Sequence, residues 1–467
     1  MWTSIIQKTR QHHWHVLFIS LLVLLGIALR LHAIRVYEHD IASDELSYHA
    51  IAINILEGNP YSRDLHPPYR PEYQRTPGYP LFVAAVYAVF GYNPTAVYVV
   101  QSILNSFTIL FVWILVYRLS PIYETRAAYV AAVAMVFNPM MLHSSAFLLR
   151  EALSAFIVTT TIYVFYKALS DNRHMLWILS GLLIAITMWF RIEVIIGFGS
   201  SLFLYLVITL RNRTNYREII THSIALLTPA MLFMLAPWLF YMHNHFQVYT
   251  LGIDQSFGRL KRAVALVKPG DKTDIVMLAN EYGIDLANSD RTNTVYTLSD
   301  KYREYNEKDW VNALSVLRPY AEEYYFDHTG RWLLLSVVDA VNNSLGYSDL
   351  CPYIGCRTQK RFMNMRYVGL LKEGDYGLMS VFLFSRFVVG AIVWFGIIIA
   401  SFYWTRHLDS GLLITVLFVA IIVVLSYNGN YMPRVRTAYE PVMFIVSTVG
   451  WFIVLSRLSL HVKEEIV

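Results

Sequence analysis

The chain has 467 residues, of which 56% are hydrophobic and only 15% charged, and its mean hydropathy is +0.42. A soluble globular chain carries about 25% charged residues; this composition excludes one, and apolar runs recurring from end to end describe an all-α, polytopic membrane protein. The net charge of +5 comes from Lys and Arg in the loops, so it reads as a topology signal and no nucleic-acid partner is expected.

The first span runs from Trp14 to Leu31. Lys8 and Arg10 precede it and no small-residue cleavage site follows, so it reads as a retained helix with its N-terminus cytoplasmic. A first outer loop, 34–95, comes next. It opens with Ser43-Asp44-Glu45-Leu46-Ser47-Tyr48-His49-Ala50. Ser43 suits a helix N-cap, which places Asp44 and Glu45 in a first helical turn. There the helix dipole and free backbone N–H groups favour ionised carboxylates. Such a pair at a membrane surface can accept a proton or orient a hydroxyl; the plain alternative is that both cap an interfacial helix. After a Pro-rich stretch, 67–71, the apolar run 78–91 is short for a span, which needs about 20 residues. Tyr79 to Phe90 is therefore expected to lie in the outer interface.

Spans are then expected near 96–117, 127–142, 147–168, 175–190, 193–210, 220–241, 380–404, 410–427 and 438–456. This assignment gives about ten spans with both termini cytoplasmic. Its inward turns hold Arg118 and Arg126; Lys167 and Arg173; Arg211, Arg213 and Arg217; Arg406; and Arg457 with Lys463. The chain divides into an N-terminal transmembrane module (1–241), a long extracytoplasmic segment (242–379) and C-terminal helices (380–467). Within the segment, Trp310 to Phe326 and Gly330 to Leu345 read as helices, and Trp332 to Val338 is apolar enough to lie on the membrane. Cys351 and Cys356 face the oxidising side in this topology, so a local disulfide is expected, with two free thiols as the alternative. No structural-metal pattern accompanies them. Asn342-Asn343-Ser344 is a formal glycosylation sequon. No internal repeat is visible, and no matched pair of broken helices of the secondary-transporter kind.

The outer side also holds charges that the positive-inside rule does not require. Arg150 and Glu151 begin one span, Arg191 and Glu193 separate two more, Arg434 and Arg436 precede the last, and Arg75 precedes the interfacial helix. Each would cost about 2.5–3.5 kcal/mol at mid-membrane. Guanidinium forks match phosphate oxygens, and a phosphate at this depth is most simply a lipid headgroup. Carboxylates beside arginines therefore suit group transfer from a lipid phosphate carrier. Internal ion pairs that staple helices are the alternative for Arg150-Glu151 and Arg191-Glu193, and phospholipid anchoring for Arg434 and Arg436. His143 reads as structural, and His12, His13 and His15 as interfacial.

These residues resemble the C-type (GT-C) glycosyltransferases. Asp44 through Ala50, followed by Ile55-Leu56-Glu57-Gly58, resembles their first-loop signature. Arg75-Thr76-Pro77-Gly78-Tyr79-Pro80-Leu81-Phe82 resembles the start of their second interfacial helix, with Arg75-Thr76-Pro77 where relatives often have Lys-Pro-Pro. Arg150-Glu151-Ala152-Leu153 and Arg191-Ile192-Glu193 fit the same pattern, and Arg434 through Pro441 resembles a late Arg-rich motif. The protein O-mannosyltransferases and lipid A aminoarabinose transferases are the groups most resembled. The likeness spans the first 210 residues or so and the last 40.

The resemblance implies a GT-C-like helical bundle and inverting transfer of a sugar from a polyprenyl-phosphate donor to an acceptor hydroxyl, on the extracytoplasmic face of the plasma membrane. Asp44 would be the base, Glu45 would support it, and Glu151 is the competing carboxylate. Arg75, Arg434 and Arg436 would hold the donor phosphate, with Arg150, Arg191, Glu193 and Tyr48 in support. The expected partners are the lipid-linked donor, membrane lipids and a glycan, lipid or protein acceptor. No cofactor is expected; a divalent cation is compatible but not indicated. Alternatives are an oligosaccharyltransferase, although the Trp-Trp-Asp signature is absent, a lipid-linked glycan ligase or polymerase, and a lipid-linked sugar flippase or transporter.

Overall fold

A computed structural model of the protein describes residues 2–37, 39–42, 44–251, 263, 273–281, 319–320, 322–334, 336, 388, 390–407, 411–427 and 437–464. Among them the secondary structure is helical. The first half contains α1 (Trp2–Val36), α2 (Asp44–Glu57), α3 (Gly78–Phe90), α4 (Pro94–Ser106), α5 (Thr108–Leu119), α6 (Glu124–Val136), α7 (Pro139–Ser145), α8 (Arg150–Asp171), α9 (His174–Phe190) and α10 (Val194–Arg211). Then come α11 (Tyr216–His222), joined through a π-helical turn to α12 (Thr228–Phe246), α13 (Asp274–Glu281), α14 (Gly390–His407), α15 (Gly411–Tyr427) and α16 (Glu440–Glu464).

Six stretches are long and apolar enough to cross a bilayer: His13–Val36, Pro94–Leu119, Arg150–Asp171, Val194–Arg211, Tyr216–Phe246 and Thr437–Leu458. The bent pair α6–α7, turned by 44°, makes a seventh, and α9, α14 and α15 contribute shorter apolar helices. All ten stand where the sequence places spans, but by length alone up to seven reach across. The 13 residues of α3 extend only about 20 Å, against a hydrocarbon core of about 30 Å. Within 242–379, α13 and residues 322–327 and 329–334 are helical, and Trp332 is buried while Leu333 and Leu334 are exposed. Cys351, Cys356, the sequon, Ser43, Arg434 and Arg436 lie outside the described residues.

Two helices begin with the same device. Asn93 and Asn138 each use their side-chain oxygen to cap a free N–H, of Thr95 and Met141, and Pro94 and Pro139 follow, where a missing N–H costs nothing. At Asn138 this restart breaks the expected span 127–142. Leu17, Phe18, Leu21, Leu24 and Leu25 of α1 are exposed while Ile19, Leu22 and Val23 are buried, as suits a helix with lipid on one side and protein on the other. Hydroxyls in the bundle turn back on their own helices: Thr159 donates to the Ala155 carbonyl at 2.7 Å, and Ser180 to the Leu176 carbonyl at 2.7 Å. In hydrocarbon no water would satisfy them. The fully buried Arg30 donates to Asn105 Oδ1 at 2.7 Å and to the Gly26 carbonyl at 3.1 Å, and Asn105 donates to the Ala152 carbonyl at 2.7 Å. One charge at the end of the first span thus ties α1, α4 and α8.

At the other end of the chain, α14 and α16 meet through glycines. A Cβ on Gly450 would lie 1.8 Å from the Gly396 carbonyl oxygen, and one on Gly396 would lie 2.4 Å from the Ser447 carbonyl oxygen. Backbone contacts of this kind bring two helices close, and Trp451 Nε1 donates across them to the Ile392 carbonyl at 2.9 Å.

The link from α1 to α2 is fixed by His39 and Glu45. His39 Nε2 lies 3.0 Å from each Glu45 oxygen and Nδ1 lies 2.7 Å from the Tyr37 carbonyl. The Ala42 N–H donates to Glu45 at 3.3 Å and the Leu148 N–H at 2.7 Å, so one buried carboxylate joins α2 to the segment entering α8. Burial opposes charge on His39, but the Glu45 hydrogen bond and charge outweigh it and hold its pKa above the usual 6.5.

Two expected outcomes follow from this packing. Gly450→Ala pushes α14 from α16 and should destabilise the detergent-solubilised protein by about 1–3 kcal/mol; an unchanged melting temperature would contradict the close approach. His39→Gln removes a positive charge that stabilises the fold while present. The wild-type advantage in melting temperature should be full below pH 6.5 and fade as pH rises through the elevated folded value. A difference that does not vary with pH would show that His39 is not charged in the fold.

Candidate active site

Asp44 opens α2, where the first N–H groups of the helix have no intrahelical acceptor. Its Oδ1 accepts from Arg75 Nη2 at 2.6 Å, and both side chains keep some exposure, 24% for Asp44 and 16% for Arg75. The Arg75 guanidinium carbon sits 5.2 Å from the centre of the Tyr48 ring, and Tyr48 meets Tyr79 edge to face at 4.8 Å. Tyr79 in turn donates to Gln101 Oε1 at 2.9 Å, and Gln101 donates to the Phe147 carbonyl at 2.6 Å. The pair therefore rests on an aromatic floor braced by α4 and the chain before α8. Gly78 allows this, since a Cβ there would lie 2.6 Å from the Phe190 ring.

Asp44 and Glu45 are neighbours in sequence but about 100° apart around the helix. Asp44 faces Arg75 and the outer loop; Glu45 faces inward to His39 and Leu148. A carboxylate enclosed in this way serves the architecture, so any support it lends Asp44 passes through the placement of α2.

A second group lies deeper at the same end of the bundle. Arg191 Nη2 donates to Glu151 Oε1 at 3.1 Å, and Arg191 Nη1 lies 3.6 Å from Glu193 Oε1. Tyr439 donates to the same Glu193 oxygen at 3.0 Å, and Asn138 donates to Glu440 at 3.2 Å. Arg150 donates to the Phe190 carbonyl at 3.0 Å, joining the start of α8 to the end of α9. Glu151, Arg191, Glu193, Tyr439 and Glu440 are all buried. The pairing is thus Arg191, at the end of α9, with carboxylates at the starts of α8 and α10. Glu151 Oε2 is enclosed with no hydrogen-bond partner among the described residues.

The chain between α2 and α3 supplies residues that sequence reasoning passed over. Buried Glu72 accepts from the consecutive N–H groups of Tyr73, Gln74 and Arg75, and its other oxygen pairs with Arg63. Asn54 donates to the carbonyls of Ser62 and Asp64, both at 2.8 Å. Arg70 makes a two-pronged contact with Asp64, whose carboxyl it holds down at about 2. Tyr439 and Glu440 stand within a motif noted in the sequence, and their backbone neighbours gave no hint of a partner. Among the described residues, no three His, Cys, Asp or Glu side chains come together as metal ligands.

Chemically, the Asp44–Arg75 pair offers an accessible carboxylate that can take a proton and a guanidinium that can exchange its carboxylate for a phosphate. The Arg191 cluster offers a fixed, enclosed charge arrangement.

The dolichyl-phosphate-mannose-protein mannosyltransferase family matches residues 74–241, a little over a third of the chain. No curated protein sequence matches. Among solved structures, the archaeal oligosaccharyltransferase AglB from Archaeoglobus fulgidus, in complex with an inhibitory peptide and a dolichol-phosphate, superposes with a TM-score of 0.52 at 14% identity. The alignment covers 97% of this chain and 52% of AglB, so the chain spans about half the length of that relative. ArnT from Cupriavidus metallidurans aligns in its apo state (TM-score 0.40) and bound to undecaprenyl phosphate (0.37), each at 13% identity over 94% of this chain and 78% of ArnT. With TM-scores this low, the two ArnT structures add nothing to the AglB comparison. The chain is thus an integral, multi-pass membrane protein whose helical fold is similar to that of AglB.

Proposed function

We propose that the protein is an inverting glycosyltransferase that moves a sugar from a polyprenyl-phosphate donor to an acceptor hydroxyl at the extracytoplasmic face of the membrane. The observation that carries this reading is the partly exposed Asp44–Arg75 pair, 2.6 Å apart, at one end of a bundle with this fold. The mannosyltransferase-family match over 74–241 and the dolichol-phosphate named with AglB support it.

In the proposed reaction the donor phosphate takes Arg75 from Asp44. The freed carboxylate accepts the proton of the acceptor hydroxyl as its oxygen attacks the anomeric carbon. The bond from that carbon to the phosphate oxygen breaks, and the lipid phosphate leaves with its charge on Arg75; a single displacement inverts the centre. Arg434 and Arg436 are proposed to share that phosphate. An aspartate is a weak base, so positioning and leaving-group stabilisation supply much of the rate. Asp44 suits the role better than Glu151 because Glu151 is buried against Arg191, and a proton donor would have to open the bundle to reach it. Glu151, Arg191, Glu193 and Arg150 then act by holding the starts of α8 and α10 in register with the end of α9.

Asp44→Asn should lower sugar transfer from a polyprenyl-phosphate donor by at least about 10²-fold, the scale of losing a general base, while donor binding persists because Arg75 remains. Near-normal turnover in Asp44→Asn, with loss in Glu151→Gln, would move the base to Glu151. Normal turnover in both would sink the mechanism, and no transfer by the wild-type protein would favour a transporter. Sidedness has its own test. Ser47→Cys, in a background with Cys351 and Cys356 replaced by Ser, should react with an impermeant thiol reagent in intact cells; reaction only after permeabilisation would invert the topology.

A further inference from the structure

We infer that Glu72 and Tyr241 are positioning residues, a clasp that fixes the backbone of Arg75 so that its guanidinium meets the donor phosphate. The inference rests on the proposed assignment of Arg75 to that phosphate.

Arg75 has its backbone held from both sides by side chains. Its N–H donates to Glu72 Oε1 at 3.2 Å, beside the N–H groups of Tyr73 at 2.9 Å and Gln74 at 2.5 Å. Its carbonyl accepts from the Tyr61 hydroxyl at 2.7 Å. Tyr61 and Glu72 are themselves paired, the Glu72 N–H donating to the Tyr61 carbonyl at 2.9 Å. Both of their carbonyls then face one hydroxyl near the end of α12: Tyr241 Oη lies 3.1 Å from the Tyr61 oxygen and 3.0 Å from the Glu72 oxygen, and its single proton is shared between them. Trp238 stacks on Tyr241 at 5.0 Å, and Tyr61 packs edge-on against both rings.

Loop 58–77 carries Pro60, Pro67, Pro68, Pro71 and Pro77 and no helix or strand. A loop of that composition has no ladder of its own to hold Arg75, yet ligand affinity depends on how little order binding must impose. The clasp supplies that order from α12, 169 positions away from Glu72. The effect of Tyr241 passes through the backbone of residues 61 and 72, whose carbonyls its hydroxyl meets.

The test measures binding of undecaprenyl phosphate to the purified full chain, in single variants and in the Arg75→Ala background. Tyr241→Phe keeps the ring packing and loses only the hydroxyl; Glu72→Ala removes the carboxylate. Each should weaken binding by about tenfold, the scale of one or two lost hydrogen bonds in an enclosed site. Glu72→Gln, which keeps an acceptor oxygen for the three N–H groups, should recover most of the affinity. In the Arg75→Ala background Tyr241→Phe and Glu72→Ala should have no further effect, because positioning has nothing left to position. Losses that persist undiminished in that background, or single variants with wild-type affinity, would overturn the clasp. Wild-type affinity in Arg75→Ala would overturn the phosphate assignment and the clasp with it. An Arg75 effect with silent Tyr241→Phe overturns the clasp alone.

Discussion

A charge at the end of an apolar bundle has to be met by another charge, and Arg191 is where this chain meets that demand. Its guanidinium lies between Glu151 and Glu193, which begin or precede different helices, and Tyr439 closes the group from the last span. Removing one member of such a buried set leaves an uncompensated charge, at a cost of about 3–5 kcal/mol. Geometry at this end of the bundle is therefore not free to drift. Helices α8, α10 and α16 arrive at one point, and the chain before α8 arrives with them. That chain carries the Leu148 N–H and the Phe147 carbonyl, which brace α2 and α3 through Glu45 and Gln101.

On this base the protein builds a more exposed pair. Asp44 and Arg75 sit above the enclosed cluster, and the difference in burial separates their work from that of Arg191. A carboxylate with water on one side can exchange its partner; one sealed beneath three helix starts cannot without disassembling them. Two neighbouring acids in the sequence thus acquire opposite duties from a 100° step around one helix turn.

Much of this was legible before any coordinates. Asp44 and Arg75 stood out because charges beside apolar runs are expensive, and the spans stood out because lipid imposes a length. Pairing was less legible. Sequence proximity suggests Arg150 with Glu151, whereas the structure pairs Arg191 with Glu151, across the turn between two spans. The break at Asn138 was written in an Asn-Pro dipeptide, but the unbroken hydropathy of 127–142 masked it. Tyr241 left no periodic trace, since it acts through one hydroxyl shared between backbone carbonyls 180 and 169 positions away, and Glu72 and His39 act through local bonds that no periodicity marks. Arg30 was hidden by its place at the end of the first apolar run, where a cation usually lies at the water boundary.

The Glu193–Tyr439 bond joins residues 246 positions apart, and this has a consequence for biogenesis. At a synthesis rate of 5–20 residues per second, roughly 12–50 s pass between the emergence of Glu193 and that of its phenol partner. Throughout that interval the Arg191 group exists without its lid, in a half-built bundle whose last helix is still in the ribosome. Membrane insertion must therefore keep this end of the chain wet, or shielded by the insertion machinery, until α16 arrives. The Arg191 group is closed only when α16 packs against it.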